Sequence, residues 1–287
     1  MLIYILYRIA HFIALCLPLK AAYCLAAAIS DLRYLVARQD RRLIMENLKV
    51  IFPGRPKSEL RRIRRNLLRN FARHIIDFFY ISKINKDFIR KHVRLENSQY
   101  LDEALSKAKS AIALTAHIGS WELGGAAMAF SGYNFFAVAL PHKNKRENDF
   151  FNLHRQAKGI RVITFGKEVR ECFRVLRAKQ NNVLALLADR NFSPKGIVVD
   201  FFGKPTSFPP GPPELAMQTQ TPLVPIFLVR DKGDNFVLHF EKPIFVRPGG
   251  NIEEENARLV RQYKSIFEDY VRKYPDQWHM FKRFWIE

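Results

Sequence analysis

The pattern of apolar and polar positions changes twice along the chain. Residues 1–30, MLIYILYRIAHFIALCLPLKAAYCLAAAIS, are almost continuously apolar, cut only by Arg8, Pro18 and Lys20, and the longest uncharged run, Ile9 to Leu19, has 11 residues. Crossing a bilayer takes about 20 apolar residues. The segment is therefore expected to be a retained anchor, embedded in a membrane or lying in its interface, since it also lacks the basic start of a cleaved signal peptide. From Ser58 to Ile81, Leu60, Ile63, Leu67, Phe71, Ile75 and Phe78 recur at three- and four-residue spacing. Arg61, Arg62, Arg64, Arg65, Arg69 and Arg73 fall on other faces, which makes this a basic amphipathic helix.

Beyond residue 96 short β-rich runs alternate with helical stretches. Strands are expected at 111–116, 135–140, 161–165, 183–188, 197–202, 223–229 and 236–246, and helices at 98–109, 120–130, 146–158, 167–180, 211–219 and 252–273. Several strands are apolar at consecutive positions, as strands buried on both faces are. The expected fold is α/β, with a central, mostly parallel sheet flanked by helices and an N-terminal membrane-associated helical segment. Three regions follow: an apolar anchor at 1–32, a basic helical region at 33–95, and an α/β domain at 96–287.

Composition narrows the classes. With 48% hydrophobic residues the chain can bury a core, which excludes a disordered protein. Cys16, Cys24 and Cys172 form neither a CxxC pair nor an even set, so reduced thiols without a zinc site are expected. The net charge of +20 calls for a polyanionic neighbour. Its distribution is uneven: residues 33–73 hold 13 basic and 3 acidic side chains (+10), and 143–179 hold 11 and 4 (+7). The first block adjoins the apolar N-terminus, which favours an anionic membrane surface, with the helix stripe on the core and the arginines toward headgroups. Nucleic acid is disfavoured, because no zinc-finger spacing or RNP-type strand accompanies the charge.

Candidate chemistry lies at the end of the first long strand, where Thr115-Ala116-His117-Ile118-Gly119-Ser120-Trp121-Glu122 precedes a helix. A histidine beyond a strand's carboxyl end is well placed for a site. Glu122, in the first turn of the next helix, is expected to reach back to the imidazole, fixing its tautomer while the other nitrogen accepts a proton from an attacking hydroxyl. The plain alternative is a buried histidine beside a helix-capping glutamate. Asp189, at the end of strand 183–188, either serves the site or pairs with Arg190; Arg155 lies in a charged helix, where most arginines are solvated. Trp278, Phe281 and Trp285 suit the core or a membrane interface.

These residues, in this order, resemble the bacterial lipid A biosynthesis acyltransferases, the late lauroyl and myristoyl transferases, within the glycerolipid acyltransferase superfamily. The block from Ala116 to Glu122 is similar to the family's His-x-x-x-Trp-Glu signature, and Asn47-Leu48 and Phe52-Pro53 match its N-terminal pattern. Further blocks follow: Arg155 with Gly159, Asp189 opening an acidic motif, Phe201-Phe202-Gly203, Gly211-Pro212, and the tail from Pro275 to Trp285. The resemblance spans residues 47–285. It implies His117 and Glu122 as a catalytic dyad and Arg155, Asp189, Arg190, Gly203 and Gly211 as substrate-binding residues. The oxyanion would be met by N–H groups of the turn and the helix N-terminus after His117, with Arg155 or Arg190 supplying charge.

The resemblance implies an O-acyltransferase at the cytoplasmic side of a bacterial inner membrane. The acyl donor would be an acyl carrier protein or coenzyme A thioester, the acceptor a hydroxyl of a phosphorylated glycolipid such as a lipid A precursor, and no cofactor, metal or nucleic acid is implied. Arg190-Asn191 departs from the usual lipid A pattern and is similar to relatives that acylate mannosylated phosphoinositides, while Met280 replaces a second tail tryptophan. A lysophospholipid acyltransferase is the other enzymatic reading, although its Glu-Gly-Thr-Arg block is missing; a nonenzymatic basic membrane binder is the reading from another class.

Overall fold

The computed structural model describes residues 2–166, 168–247, 249 and 251–286, with the backbone alone at 2 and 3. Four helices come first: α1 (Leu2–Cys16), α2 (Leu19–Val36), α3 (Arg38–Ile51) and α4 (Lys57–Tyr80). Pro18, which cannot continue a helix, separates α1 from α2. The α/β body follows as α5 (Lys86–His92), β1 (Val93–Glu96), α6 (Gln99–Ala108), β2 (Ser110–Thr115), α7 (Trp121–Phe130), β3 (Asn134–Ala139), α8 (Lys145–Gln156) and β4 (Arg161–Thr164). It continues with α9 (Val169–Arg177), β5 (Asn182–Leu187), β6 (Ile197–Phe201), β7 (Lys204–Phe208), α10 (Gly211–Thr219), β8 (Leu223–Arg230), β9 (Phe236–Phe240) and α11 (Ile252–Lys273).

Seven strands form one sheet in the order β1-β9-β8-β2-β5-β3-β4, parallel throughout except for the β8–β9 pair. The expected mostly parallel sheet flanked by helices is therefore present. Strand 197–202 does not join it; β6 pairs antiparallel with β7 in a separate ribbon, because both alternate buried and exposed residues. Strand 236–246 stops at Phe240, ahead of Pro243, and position 167, where a helix was expected to begin, lies outside the described residues. One face of the sheet packs Ile112, Leu114 and Leu184 against α9, α10 and α11, and the other packs Val183, Ile226 and Leu238 against α7.

The N-terminal helices are fastened to this body by a buried charge cluster. Arg230, at the end of β8, donates to both oxygens of Asp77 on α4 at 2.7 and 2.9 Å, Tyr23 of α2 donates to the same carboxylate, and the guanidinium lies 4.5 Å from the Tyr23 ring centroid. Removing one member of such a buried pair typically costs about 3–5 kcal/mol. The arginines of α4 are partly spent in the same way. Arg65 and Arg69 both grip Asp31 of α2, and Arg64 reaches Tyr34, so these three face the neighbouring helix, while Arg61 and Arg62 stay exposed. The opposite side of the α1–α2 pair is apolar and open, with Leu6, Phe12, Ile29, Leu32 and Val36 exposed. Among the described residues no helix is long and apolar enough to cross a membrane.

Candidate active site

Parallel pairing of β2 with β5 creates the corner at which the candidate residues meet. Thr115 lies opposite Leu187, so two positions further on His117 stands beside Asp189. The contact is close. His117 Nδ1 lies 2.6 Å from Asp189 Oδ1, and the His117 backbone N–H donates to Oδ2 at 3.0 Å. A third donor, the Trp278 indole Nε1–H, reaches Oδ2 at 3.2 Å. Burial on its own would raise the Asp189 pKa, but the charge and hydrogen bonds of His117, with the charge of Arg190, outweigh it and hold the group down to about 2. An ionised carboxylate accepts only, so Nδ1 carries the proton and Nε2 keeps the lone pair, on a ring that lines a cavity.

Glu122 is not the carboxylate on this imidazole, contrary to the reach expected from sequence. From the first turn of α7 it turns toward α8, where Arg155 Nη2 and Nε donate to it at 2.6 and 3.0 Å. Burial opposes its charge, yet the guanidinium wins and the Glu122 pKa is lowered while that of Arg155 is raised. Arg155, expected to be solvated if only its helix is considered, is largely withdrawn from solvent, with Nη1 on Asn152 at 3.0 Å. The signature thus supplies two carboxylate pairs, His117 with Asp189 and Glu122 with Arg155, rather than one dyad.

The turn after His117 is shaped by close contacts. Gly119 has φ +64°, and a Cβ there would meet the Leu228 carbonyl oxygen at 1.9 Å, so a side chain is excluded. Its N–H donates to Gln277 O at 2.9 Å, Ser120 N–H to Leu228 O at 2.9 Å, and Ile118 N–H to Ala116 O at 2.7 Å. With His117 N–H on Asp189, the N–H groups of residues 117–120 are all taken, which corrects the expectation that the turn serves an oxyanion and leaves that role to the first turn of α7. Arg190 lines the cavity, with one Nη donating to the His279 carbonyl and its Nε buried without a partner.

The tail from Gln277 to Met280 clamps this corner. Trp278 bridges to Ile118, His279 N–H donates to His117 O at 2.8 Å, and Asn47 of α3 donates to the carbonyls of Met280 and Lys282 at 3.3 and 2.8 Å. The tail tryptophan was legible only as a core or interface aromatic; its indole donor is the residue that sequence reasoning missed. Trp121 stands with its ring centroid 5.1 Å from His117 and 3.9 Å from the buried His74, whose pKa burial pushes down to about 4.

These residues open into a cavity of about 810 Å³ that straddles the carboxyl ends of β5 and β3. His117, Glu122, Arg155, Arg190 and Gly211 line it, and Asp189 stands behind His117. Gly203 does not join them: it sits at the tip of the β6–β7 ribbon with φ +77°. Most of the lining is apolar, from Phe78 and Phe79 on α4 to Leu215 on α10. Among the described residues no cluster of His, Cys, Asp or Glu could hold a metal ion. The arrangement can remove a proton from a hydroxyl beside an apolar ligand, with two arginines at hand for negative charge.

Residues 1–287 match the model of a family described as bacterial lipid A biosynthesis acyltransferase. The phosphatidylinositol mannoside acyltransferase of Mycobacterium tuberculosis is 26% identical over 224 residues, covering 76% of this chain and 69% of that protein. The protein of the same name from Mycolicibacterium smegmatis is 25% identical over 221 residues, 76% of this chain and 71% of that one.

Proposed function

The chain belongs to the bacterial lipid A biosynthesis acyltransferase family, and from that premise we propose that it moves a fatty acyl chain from an acyl thioester to a hydroxyl of a membrane glycolipid. The observation that carries the mechanism is the Asp189–His117 pair at the mouth of an apolar cavity. Nε2 of His117 takes the proton of the acceptor hydroxyl as its oxygen attacks the thioester carbonyl carbon. The new C–O bond forms, the C–S bond breaks, and the leaving thiolate takes the proton back from Nε2. Asp189 holds the tautomer and stabilises the imidazolium in between. Arg190, whose side chain lines the cavity, meets the oxyanion or a substrate phosphate, and Arg155 borders the cavity while neutralising Glu122.

The acceptor is a phosphorylated glycolipid of the cytoplasmic side of the bacterial inner membrane. A lipid A precursor follows from the family; a phosphatidylinositol mannoside is the second reading, favoured by the names of the relatives and by Asp189-Arg190. The exposed apolar face of α1 and α2 lies in the membrane interface, with Arg61 and Arg62 of α4 toward headgroups. The exposed cations of the second basic block, Arg170, Arg174 and Arg177 among them, dock the acidic carrier protein or the phosphates of coenzyme A.

The test incubates purified protein with carrier-protein and coenzyme A thioesters and both acceptor lipids, and follows the mass gain of one acyl chain. His117→Ala is expected to lower turnover by about a thousandfold or more. Undiminished transfer by that variant would overturn the mechanism, and charge reversal at Arg170 and Arg174 that spares donor affinity would overturn the docking assignment.

A further inference from the structure

Beyond α11 the chain runs from Tyr274 to Ile286 without helix or strand, joined to the turn after His117 by the Trp278 bridge to Ile118. This irregular segment serves the carboxylate, the base and the cation of the corner alike. The Trp278 indole reaches Asp189, the His279 N–H donates to His117 O, and the His279 carbonyl accepts from Arg190. A buried backbone without regular structure needs partners from elsewhere. Three side-chain amides fix this one. Asn70 of α4 donates to Asp276 O at 2.9 Å, and Gln277 pairs both ways with the Arg230 backbone, accepting at 2.8 Å and donating at 2.9 Å. Asn47 of α3 holds the stretch that follows Trp278, donating to Met280 O at 3.3 Å and to Lys282 O at 2.8 Å.

Asn47 is out of place as a core residue. The buried stripe of α3 reads Ile44, Asn47, Leu48 and Ile51, at the three- and four-residue spacing of a helix packed on its neighbours. A leucine at 47 would complete that stripe, and asparagine is a poor helix former. The residue is only 3% exposed, so water does not serve its amide. What the amide offers is two hydrogens on one nitrogen, and they meet carbonyls 233 and 235 positions further along the chain. The neighbours of Asn47 keep α3 at a fixed height over the tail. Phe52 packs against both the main core and the α3–α4 cluster of Ile44 and Leu48, and Phe281 of the tail joins that cluster.

We propose that Asn47 is a positioning residue for acyl transfer, holding the carbonyls of Met280 and Lys282 so that Trp278 stands at Asp189 and His279 stands between His117 and Arg190. The inference rests on the acyl-transfer reading above. It gives α3, none of whose described residues lines the cavity, a part in the geometry of the base. A misplacement of about 1 Å caused far from the reacting atoms can cost about a hundredfold in rate. Packing does not replace the amide, because a leucine of similar volume leaves both carbonyls without their donor.

The experiment measures kcat and KM of the full-length protein with palmitoyl coenzyme A and the two acceptor lipids named above, and records the NMR signals of the indole N–H groups in the same variants. The chain has three tryptophans, so Trp278→Phe assigns the Trp278 signal. Asn47→Leu is expected to lower kcat by about tenfold with KM unchanged, and Asn47→Asp, which sets a carboxylate against two carbonyl oxygens, by about a hundredfold. In both variants the Trp278 signal moves, while Trp285, whose indole donates to Phe201 O at 2.6 Å, keeps its own. Asn47→Gln, which retains both hydrogens, keeps more of kcat than Asn47→Leu and serves where the other variants do not fold. Leu48→Ala, buried on the same helix, lowers the melting temperature and leaves kcat and the Trp278 signal unchanged. If Asn47→Leu behaves like Leu48→Ala, the proposal is overturned. If wild type transfers no chain to any acceptor, the acyl-transfer reading fails, and the indole signals still decide whether Asn47 holds the tail at Asp189.

Discussion

The carboxyl end of β5 brings a buried carboxylate to the His117 turn and the first turn of α7 a half-buried one, and they use it in opposite ways. Asp189 is surrounded by donors from three places: the His117 ring, the His117 backbone and the Trp278 indole. Its charge is held by hydrogen bonds and directed at one nitrogen. Glu122 is bound side-on by one guanidinium, so Glu122 and Arg155 together are neutral and present a rigid wall to the cavity. The first arrangement can orient a base; the second is a neutral ion pair whose guanidinium borders the cavity. Burial of an acid therefore says little about its role, and the partner set says much.

The largest effect should come from Asp189→Asn. The amide can present its NH2 to Nδ1 and stabilise the other tautomer, leaving Nε2 protonated and unable to accept, and acyl transfer should fall by about three orders of magnitude with the fold retained. Steady-state transfer and thermal unfolding measured together check this. If Glu122→Gln cost more turnover than Asp189→Asn, the roles given to the two carboxylates would be exchanged.

Glu122→Gln should act mainly on stability. It leaves the Arg155 guanidinium buried without its counter-charge, at a cost of about 3–5 kcal/mol. The double variant Glu122→Gln with Arg155→Met should recover most of that loss in chemical denaturation while activity stays low, since the cavity then lacks its cation. Recovery of activity together with stability would make the pair a structural strut and nothing more.

Trp278→Phe removes a single donor from Asp189 and little volume from the core. One hydrogen bond to a charged group contributes about 1.5–3 kcal/mol, and two donors remain, so a drop in kcat of about tenfold with KM unchanged is expected. A fall in melting temperature without a fall in kcat would assign the indole to packing alone.

The same corner shows what could be read from the chain. Helices 211–219 and 252–273 have the expected limits because Gly211 and its prolines mark the start of the first and a 3.6-residue apolar period runs through the second. The strand β1, with only the four residues VRLE, and β7, with the sequence KPTSF, carry too little apolar signal to be seen. Spacing made Glu122 the natural partner of His117, whereas Asp189 is 72 residues away. It arrives because β2 and β5 are neighbours in parallel register, and strand order is set by the packing of the whole sheet. The tail motif was visible from Pro275 to Trp285, but its indole donor gains meaning only where the tail crosses behind the His117 turn.

The smallest expected effect separates the carboxylates from the imidazoles behind them. Asp189, at about 2, and Glu122, also lowered, are held below their unfolded values. Their contribution to stability is present above a pH of about 4 and is lost only as the pH falls further. His74 behaves otherwise. Buried against Trp121 and facing Asp77, Glu122, Arg230 and His117, it titrates at about 4, and His279 well below its usual value. Between about 6.5 and 4 the unfolded chain takes up a proton at His74 that the folded protein refuses, so stability falls as the pH drops through that window. Each such imidazole adds a slope of up to about 1.4 kcal/mol per pH unit. Unfolding free energies measured from about pH 7 to about pH 5 should decline in wild type and decline less steeply in His74→Phe, whatever that variant's absolute stability. A wild-type curve that stays flat down to about pH 4 would return the acid sensitivity of the site to its two carboxylates.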